Sequence, residues 1–131
     1  MAFSQPIEVR FADLDALGHV NHALFVTYLE HARTQWWSGY LAGKAFTEEG
    51  FVIARVELDF RKPILLGDQV RVDLRCSHVG HTSFSLSYKV MRVRDEVVLA
   101  EGQTVQVMMD FATQRPKPVR TQTQAWLRNQ A

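Results

Sequence analysis

The chain has 131 residues, of which 47% are hydrophobic, and its formal net charge is +1. This length and composition predict one globular domain, residues 1–131, with enough apolar material for a core. A net charge near zero, without a basic block, argues against a nucleic-acid-binding protein. No apolar run approaches the roughly 18 residues of a membrane-spanning helix, and no signal peptide is recognised. We therefore expect a cytoplasmic protein with neither a nucleic-acid nor a membrane partner.

The N-terminal residues predict a short strand followed by a polar loop. Ile7 and Val9 alternate with polar residues, which is typical of a half-buried strand that ends near Phe11. The loop from Asp13 to His22 then contains two acids, two imidazoles and an amide within ten residues. Loops that carry a dense set of ionisable groups on a rigid scaffold are common sites of catalysis. This loop is the candidate active site.

A long amphipathic helix is predicted from about residue 23 to residue 41. Apolar side chains recur there every three or four residues: Phe25, Tyr28, Leu29, Ala32, Trp36 and Tyr40. Asn21 is the predicted N-cap, because its side-chain oxygen can accept a backbone N–H of the first turn. Gly39 and Gly43 favour the end of the helix. The adjacent Trp36 and Trp37 are not expected to face one core, so one of them is predicted to cover a sheet edge or a partner subunit.

Four strands follow, each with a period of two. Their predicted core-facing sets are Val56, Leu58 and Phe60; Val70, Val72 and Leu74; Phe84, Leu86, Tyr88 and Val90; and Val105, Val107 and Met109. Turns are predicted at 63–68, 79–81 and 94–96. Such alternation is typical of an antiparallel sheet with one covered face, and the long helix is the predicted cover. From about residue 113 the tail is predicted to be irregular, apart from a short helix at residues 124–128.

This order of elements predicts an α+β fold, in which one long central helix is wrapped by a curled antiparallel sheet of about five strands. Such a sheet leaves its edge strands exposed. Edges of this kind are commonly closed by pairing with a second copy of the chain. A homodimer is therefore expected, and assembly of two dimers into a homotetramer stays open.

Metal and cofactor sites are not predicted. The single cysteine, Cys76, lies in a strand-like run and is expected to be a packed thiol in a reducing compartment. The five histidines show no joint spacing with acids or with Cys76 that is typical of a metal site. No glycine-rich phosphate loop is present either.

Several motifs resemble one known family. The first is Asp13-x-Asp15-x-x-Gly18-His19-Val20-Asn21-His22, followed by Phe25-x-x-Tyr28-Leu29-Glu30-x-Ala32-Arg33. The others are Phe60-Arg61-Lys62-Pro63-Ile64-x-x-Gly67-Asp68 and the turn Gly80-His81-Thr82-Ser83. Together they resemble the hotdog-fold acyl-CoA thioesterases of the 4-hydroxybenzoyl-CoA thioesterase type, over about residues 5 to 110. The resemblance implies a hotdog fold and hydrolysis of an acyl-CoA to a free acid and CoA, without a cofactor.

The resemblance also implies roles for the loop residues. Asp15 matches the family's catalytic carboxylate, and its role as nucleophile or as general base stays open. A plain turn-forming role is the alternative for Asp15. His22 matches the residue whose backbone N–H polarises the thioester carbonyl, which agrees with the partial positive charge of a helix N-terminus. Asp13 is predicted either to orient the loop or to repel the charge of Asp15.

The predicted substrate-binding residues are Asp13, His19, Asn21, Ser83, Arg61 and Lys62. Some relatives hold the phosphates of CoA with a basic cluster at the turn equivalent to residues 80–82, and this chain has no such cluster. The nucleotide is predicted to be held instead by Arg61, by Lys62 or by the basic tail (Arg115, Lys117 and Arg120). The alternative is that the nucleotide is bound only weakly.

Two further expectations concern the long helix. The acyl pocket is predicted to be built from Trp36, Trp37, Phe51, Phe60 and their neighbours. Glu30 and Arg33 are expected to form an ordinary surface or interface pair. Other functions stay open on the same scaffold: hydrolysis of an acyl carrier protein thioester, hydration of an acyl thioester, or non-catalytic binding of an acyl thioester.

Overall fold

The computed structural model describes residues 3–131. Its elements are β1 (Phe3–Ile7), a 3-10 turn (Phe11–Asp13), α1 (His22–Leu41), β2 (Gly50–Phe60), β3 (Val70–Val79), β4 (Ser83–Arg92), β5 (Val97–Asp110), β6 (Arg115–Pro116) and α2 (Thr121–Arg128). All strand pairs are antiparallel, in the order β1-β3-β4-β5-β2, and the short β6 pairs with the end of β5. The predicted α+β architecture of one long helix against one antiparallel sheet is confirmed.

The long helix α1 begins and ends close to its predicted bounds. Asn21 caps it as predicted, because its Oδ1 accepts the backbone N–H of Ala23 at 3.0 Å. At the other end Ala42 adopts a left-handed conformation, with φ of 51°, and its N–H donates to the Ser38 carbonyl. Within the described part of the chain, neither helix is both long and apolar enough to cross a membrane.

The two adjacent tryptophans of α1 are both in the core. Trp36 is 3% exposed and Trp37 is not exposed at all. Both contact Trp126 of α2, with ring centroids 4.9 Å and 5.8 Å away. The prediction that one tryptophan covers an edge or a partner was wrong, because α2 is longer than predicted and folds over the end of α1. We call the resulting set of rings the aromatic cluster: Trp36, Trp37, Tyr40, Phe51, Phe84 and Trp126.

Strand β1 lies earlier in the sequence than predicted. It covers Phe3–Ile7 and pairs with β3, so the predicted strand around Val9 is wrong. The backbone N–H of Asp13 donates to the Arg10 carbonyl at 2.9 Å, and the Arg10 N–H donates to the Asp13 carboxylate at 3.1 Å. These bonds draw the chain away from the sheet edge into the 3-10 turn, although Val9 still packs against the core.

Strand β5 presents the opposite face from the one predicted. Its core-facing residues include Thr104, Gln106 and Met108, while Val105, Val107 and Met109 are half-buried on the outer face. The two polar side chains are satisfied inside the core: Thr104 shares a 2.6 Å hydrogen bond with the Tyr88 hydroxyl. The Gln106 amide nitrogen donates to the Phe84 carbonyl at 3.1 Å. Apolar alternation therefore indicated the wrong face, because these hydrogen bonds offset the cost of burying polar groups.

The apolar face of β2 is only partly covered. Ile53, Val56 and Phe60 pair with core-facing residues of β5 and so lie on the same side of the sheet as α1. They are nevertheless 37%, 42% and 48% exposed, because β2 is an edge strand with β5 as its only neighbour in the described sheet. We call these three residues the β2 apolar row. The predicted apolar face is correct here, but one chain leaves it open to solvent.

Candidate active site

The polar loop before α1 forms a closed turn. The Asp15 N–H donates to the His19 carbonyl at 2.7 Å, and the Gly18 N–H donates to the Asp15 carbonyl at 3.1 Å. Gly18 has φ of 78°, a conformation that glycine adopts without the steric cost of a Cβ. The turn is anchored to the segment before β3, because the Val20 N–H donates to the Ile64 carbonyl at 2.9 Å. The loop is therefore held rigidly at the N-terminal end of α1.

Asp13 is a buried anchor of this loop. It is 1% exposed, and its carboxylate accepts hydrogen bonds from the Tyr28 hydroxyl at 2.6 Å and from the Arg10 guanidinium at 2.9 Å. Burial raises the pKa of Asp13, but the hydrogen bonds from Tyr28 and Arg10 outweigh it and hold that pKa below its ordinary value. Burial and the contact with Asp13 raise the pKa of Tyr28. This geometry favours the orienting role for Asp13.

Asp15 differs from Asp13 in exposure and in its hydrogen bonds. Its side chain is exposed, and Oδ1 accepts the backbone N–H groups of Leu17 at 2.8 Å and His19 at 3.2 Å. Oδ2 makes no hydrogen bond within residues 3–131. One carboxylate oxygen therefore holds the turn, as the structural alternative predicted, and the other remains free for a reaction.

The N-terminus of α1 has one unpaired backbone donor. Asn21 satisfies two N–H groups of the first turn, Ala23 through its side chain and Leu24 through its carbonyl at 2.9 Å. The N–H of His22 has no partner among the described residues, and it carries part of the positive end of the helix dipole. The His22 ring packs edge-on against Phe60 at 6.0 Å, so its side chain lies beside the end of β2.

Arg61 and Lys62 lie at the same end of the molecule. They follow Phe60 directly, and their backbone N–H groups both donate to the Leu99 carbonyl, at 2.8 Å and 3.0 Å. The Arg61 guanidinium lies 3.5 Å from Glu101, and both side chains are about half exposed. These two basic residues therefore lie on the same side of the molecule as the loop.

Ser83 and the basic tail lie apart from the loop within one chain. Ser83 pairs with Val107, which lies on the outer face of the sheet, at the end of β4 remote from Phe60. Lys117 and Arg120 pair with the buried Glu49, which precedes β2 at its other end. In a single chain, the structure thus brings together Asp13, Asp15, His19, Asn21, His22, Arg61 and Lys62, but not Ser83 or these two tail bases.

The predicted aromatic pocket is filled. Trp36 and Trp37 belong to the aromatic cluster, whose rings fill the space between them, and Phe51 packs against Trp37 on one side. The elements α1 and β2 run in opposite directions, because His22 contacts Phe60 and Trp37 contacts Phe51. At one end Phe60 contacts His22, and at the other Ile53 of β2 lines a cavity of about 360 Å³ together with α1 residues.

Arg33 is more buried than its predicted surface or interface pair with Glu30 implied. It is 7% exposed, and its guanidinium donates to the Tyr88 hydroxyl at 3.1 Å. The predicted surface or interface pair with Glu30 is absent from the described residues, because the buried Arg33 side chain bonds to Tyr88 and no ion pair joins it to Glu30 there. A signal was available: Arg33 continues the four-residue spacing of Phe25 and Leu29, which are buried.

Comparison with known proteins identifies the family. A family model described as the Thioesterase-like superfamily matches residues 9–127. The 1,4-dihydroxy-2-naphthoyl-CoA hydrolase of Synechococcus elongatus is 26% identical, over 91% of this chain and 90% of that protein. The long-chain acyl-CoA thioesterase FadM of Escherichia coli is 27% identical, over 83% of this chain and 84% of that protein. A Thermus thermophilus thioesterase solved with coenzyme A and Zn is 34% identical, with a TM-score of 0.81 over 96% of this chain and 92% of that one. The chain belongs to the Thioesterase-like superfamily, which confirms the family and the hotdog fold predicted from its sequence.

Proposed function

We propose that this protein hydrolyses an acyl-CoA thioester to the free acid and CoA, with Asp15 as the catalytic carboxylate. Membership of the thioesterase family supports the class of reaction. The relatives named for acyl-CoA hydrolysis and the neighbour that holds coenzyme A support CoA, rather than a carrier protein, as the thiol. The single observation that carries the role of Asp15 is its free carboxylate oxygen on a rigid turn beside the α1 N-terminus.

The two halves of the site suit the two demands of the reaction. The unpaired N–H of His22 is available to a thioester carbonyl oxygen, where it stabilises the negative charge that develops during attack. Asp15 then either attacks the carbonyl carbon itself or removes a proton from an attacking water. By either route the C–S bond breaks, water supplies the hydroxyl of the acid, and the thiolate of CoA takes up a proton. Asp13 contributes by positioning, since it holds the loop without exposing its own oxygens.

The test is a thiol-release assay on acyl-CoA substrates with Asp15→Asn and a matched control. Asp110 is suited to the control, because its Oδ1 also accepts two turn N–H groups, from Ala112 at 2.9 Å and Thr113 at 3.3 Å, far from the loop. Asp15→Asn is expected to lower the rate by about 10²–10⁴-fold, the range for a lost base or nucleophile, while Asp110→Asn stays near wild type. Near-normal turnover in Asp15→Asn would refute the assignment. Binding of acyl-CoA without turnover in the wild type would indicate a binding module.

The nucleotide is proposed to contribute little to binding. Arg61 and Lys62 lie at the same end of the molecule as the loop, and both are exposed. An exposed ion pair is typically worth about 0–1 kcal/mol. We expect the acyl-pantetheine to be at most about tenfold poorer in kcat/KM than the matching acyl-CoA. A thousandfold loss would instead indicate a strong phosphate site, with Arg61→Ala and Lys62→Ala as the first variants to locate it.

We also propose that two chains pair through β2. The open edge of β2 and the exposed β2 apolar row support this. A second copy would form hydrogen bonds with the unpaired backbone groups of the edge strand and cover the apolar side chains. Light scattering at micromolar concentration should give twice the chain mass of 15.0 kDa. Val56→Asp should reduce that mass to one chain, whereas Val93→Asp, at a similarly exposed valine outside β2, should not. A wild-type protein of single-chain mass would overturn the proposal.

A further inference from the structure

Arg33 is a buried cation without a counterion in the described chain. Its side chain is more than nine-tenths buried, and the hydroxyl of Tyr88 is its one hydrogen-bond partner within residues 3–131. No carboxylate forms an ion pair with it in that part of the chain. Burying an unpaired charge is costly, so a buried guanidinium normally has an anion beside it.

The neighbours of Arg33 fix its position without neutralising it. The Thr104 hydroxyl donates its one hydrogen to the Gln106 side-chain oxygen. In its bond with the Tyr88 hydroxyl it is therefore the acceptor, and Tyr88 is the donor. The Tyr88 oxygen is then free to accept from Arg33. The Gln106 amide nitrogen completes the series by donating to the Phe84 carbonyl. Every donor in this network points away from Arg33, and no member carries a negative charge. The network therefore orients the guanidinium and leaves its other N–H groups available.

Arg33 also adjoins a largely apolar cavity. Arg33 lines the cavity of about 360 Å³ together with Thr34, Phe46, Phe51, Ile53 and Phe111. The exposed Val26 of α1 lies, along the helix, between this cavity and the contact of His22 with Phe60. An apolar path of this kind is suited to a hydrocarbon chain whose thioester lies at the α1 N-terminus.

We propose that this cavity receives the far end of the acyl group, and that Arg33 pairs there with a carboxylate at that end. The preferred substrates are then CoA thioesters of dicarboxylic acids, esterified at one end. This inference rests on the proposed function, because it assigns the far end of the same substrate. A guanidinium offers paired N–H groups that match the two oxygens of a carboxylate, which a methyl end lacks.

The length of α1 limits the acyl chain. Arg33 follows His22 by eleven residues, which is about 16 Å along a helix axis. The Arg33 side chain leans back toward the helix N-terminus and shortens this span. An extended chain advances about 3.4 Å every three bonds. A linear acyl group of roughly 8 to 14 bonds therefore reaches from the thioester to the guanidinium.

Glu30 provides a second test of the pairing between Arg33 and a carboxylate. Its exposed side chain also lines the cavity, one turn before Arg33 on α1. A carboxylate beside Glu30 meets a like charge, so Glu30→Gln should raise the affinity for a carboxylate-ended substrate several-fold relative to that for the methyl-ended one. A subunit-contact role for Arg33 predicts no such difference between the two ligands.

The experiment compares the CoA thioesters of dodecanoic acid and of dodecanedioic acid, which differ only at the far end. Hydrolysis by the wild type tests the proposed function, and calorimetric binding to Asp15→Asn tests this inference separately. We expect the carboxylate-ended thioester to bind at least tenfold more tightly and to have the higher kcat/KM. In Arg33→Met the ratio of the two affinities should fall to about one, and Arg33→Lys, which keeps the charge without the planar fork, should give an intermediate ratio.

Two outcomes would overturn the inference while leaving the hydrolase intact. In the first, the wild type hydrolyses both thioesters in an Asp15-dependent way and binds them equally. In the second, Arg33→Met weakens both ligands to the same extent and lowers the mass measured by light scattering, which would make Arg33 a contact between subunits. If Arg33→Met does not fold, the wild-type ratio and the Glu30→Gln shift decide the question.

Discussion

The two ends of α1 differ in almost every physical respect. At the N-terminal end, Asp15 is exposed and the His22 N–H is unpaired within residues 3–131, while Phe60 leaves 48% of its surface in solvent. At the C-terminal end, Trp37 is fully buried in the aromatic cluster, and Glu49 is buried between Lys117 and Arg120. The contrast indicates a division of labour along one helix. The N-terminal end has hydrogen-bond donors and acceptors that are available to a ligand. The C-terminal end supplies the packing that holds the helix in place.

The largest effect on stability is expected from Trp37→Ala, at the packed end of α1. We expect the free energy of unfolding to fall by about 3–5 kcal/mol, the usual cost of truncating a large core aromatic residue. The loss includes the hydrogen bond from the Trp37 indole N–H to the Glu49 carbonyl, at 2.8 Å. Urea unfolding measures the effect, and Trp126→Ala, at a partly buried ring, should cost less. Comparable rates per folded molecule in Trp37→Ala and wild type would support the division, whereas a large loss of rate would contradict it.

A smaller effect is expected at the loop end from Asp13→Asn. The amide keeps the shape of the side chain but loses the charge-assisted bonds from Tyr28 and Arg10. We expect about 1–3 kcal/mol of destabilisation, the range for a buried hydrogen-bonded group that loses its partner. The loss of rate should be smaller than in Asp15→Asn, because Asp13 acts on the loop and not on the substrate. A larger loss of rate in Asp13→Asn than in Asp15→Asn would reverse the proposed roles.

The stability of the protein at low pH should depend on the same carboxylate, Asp13. Hydrogen bonds hold the pKa of Asp13 below its ordinary value in the folded protein. Its contribution to stability is therefore complete above the unfolded pKa, about 3.9, and is lost as the pH falls through the folded pKa. Urea unfolding at a series of pH values below 5 should show a decline that Asp13→Asn reduces. Identical pH profiles for the two proteins would mean that Asp13 is not the responsible group.

The smallest effect is expected from Asn21→Ala, which removes the cap of α1. Loss of the Ala23 N–H to Asn21 bond should cost about 1 kcal/mol, as is typical for an N-cap asparagine. Thermal unfolding of the variant and the wild type measures it. A cost above that of Asp13→Asn would show that the cap, rather than the buried carboxylate, is the main anchor of this end.

The sequence predicted the secondary structure and the loop better than it predicted burial. The bounds of α1, the cap at Asn21 and the turns between the strands follow from local chemistry, so they could be read from neighbouring residues. The inverted face of β5 could not, because Thr104 and Gln106 are satisfied by Tyr88 and a distant carbonyl that only the folded sheet brings near. The burial of Trp36 depends likewise on α2, whose short polar sequence gives a weak signal.

The loop that holds Asp13, Asp15 and His22 was predicted as a unit, since its polar residues are consecutive and Asn21 places them at a helix start. The cavity beside Arg33 was not predicted. A charged residue is usually assigned to the surface even where it continues an apolar stripe, and the tertiary contact with Tyr88 reverses that assignment.

The closure of the aromatic cluster by α2 has a consequence for biosynthesis. The hydrogen bond between Tyr40 and Thr123 joins residues 83 positions apart. At a translation rate of about 5–20 residues per second, α1 leaves the ribosome roughly 4 to 17 seconds before the helix that covers its tryptophans. During that interval a nascent chain displays several adjacent aromatic rings to the surrounding medium. This protein is therefore most exposed to chaperones, and to misassociation with other nascent chains, just before its synthesis reaches α2.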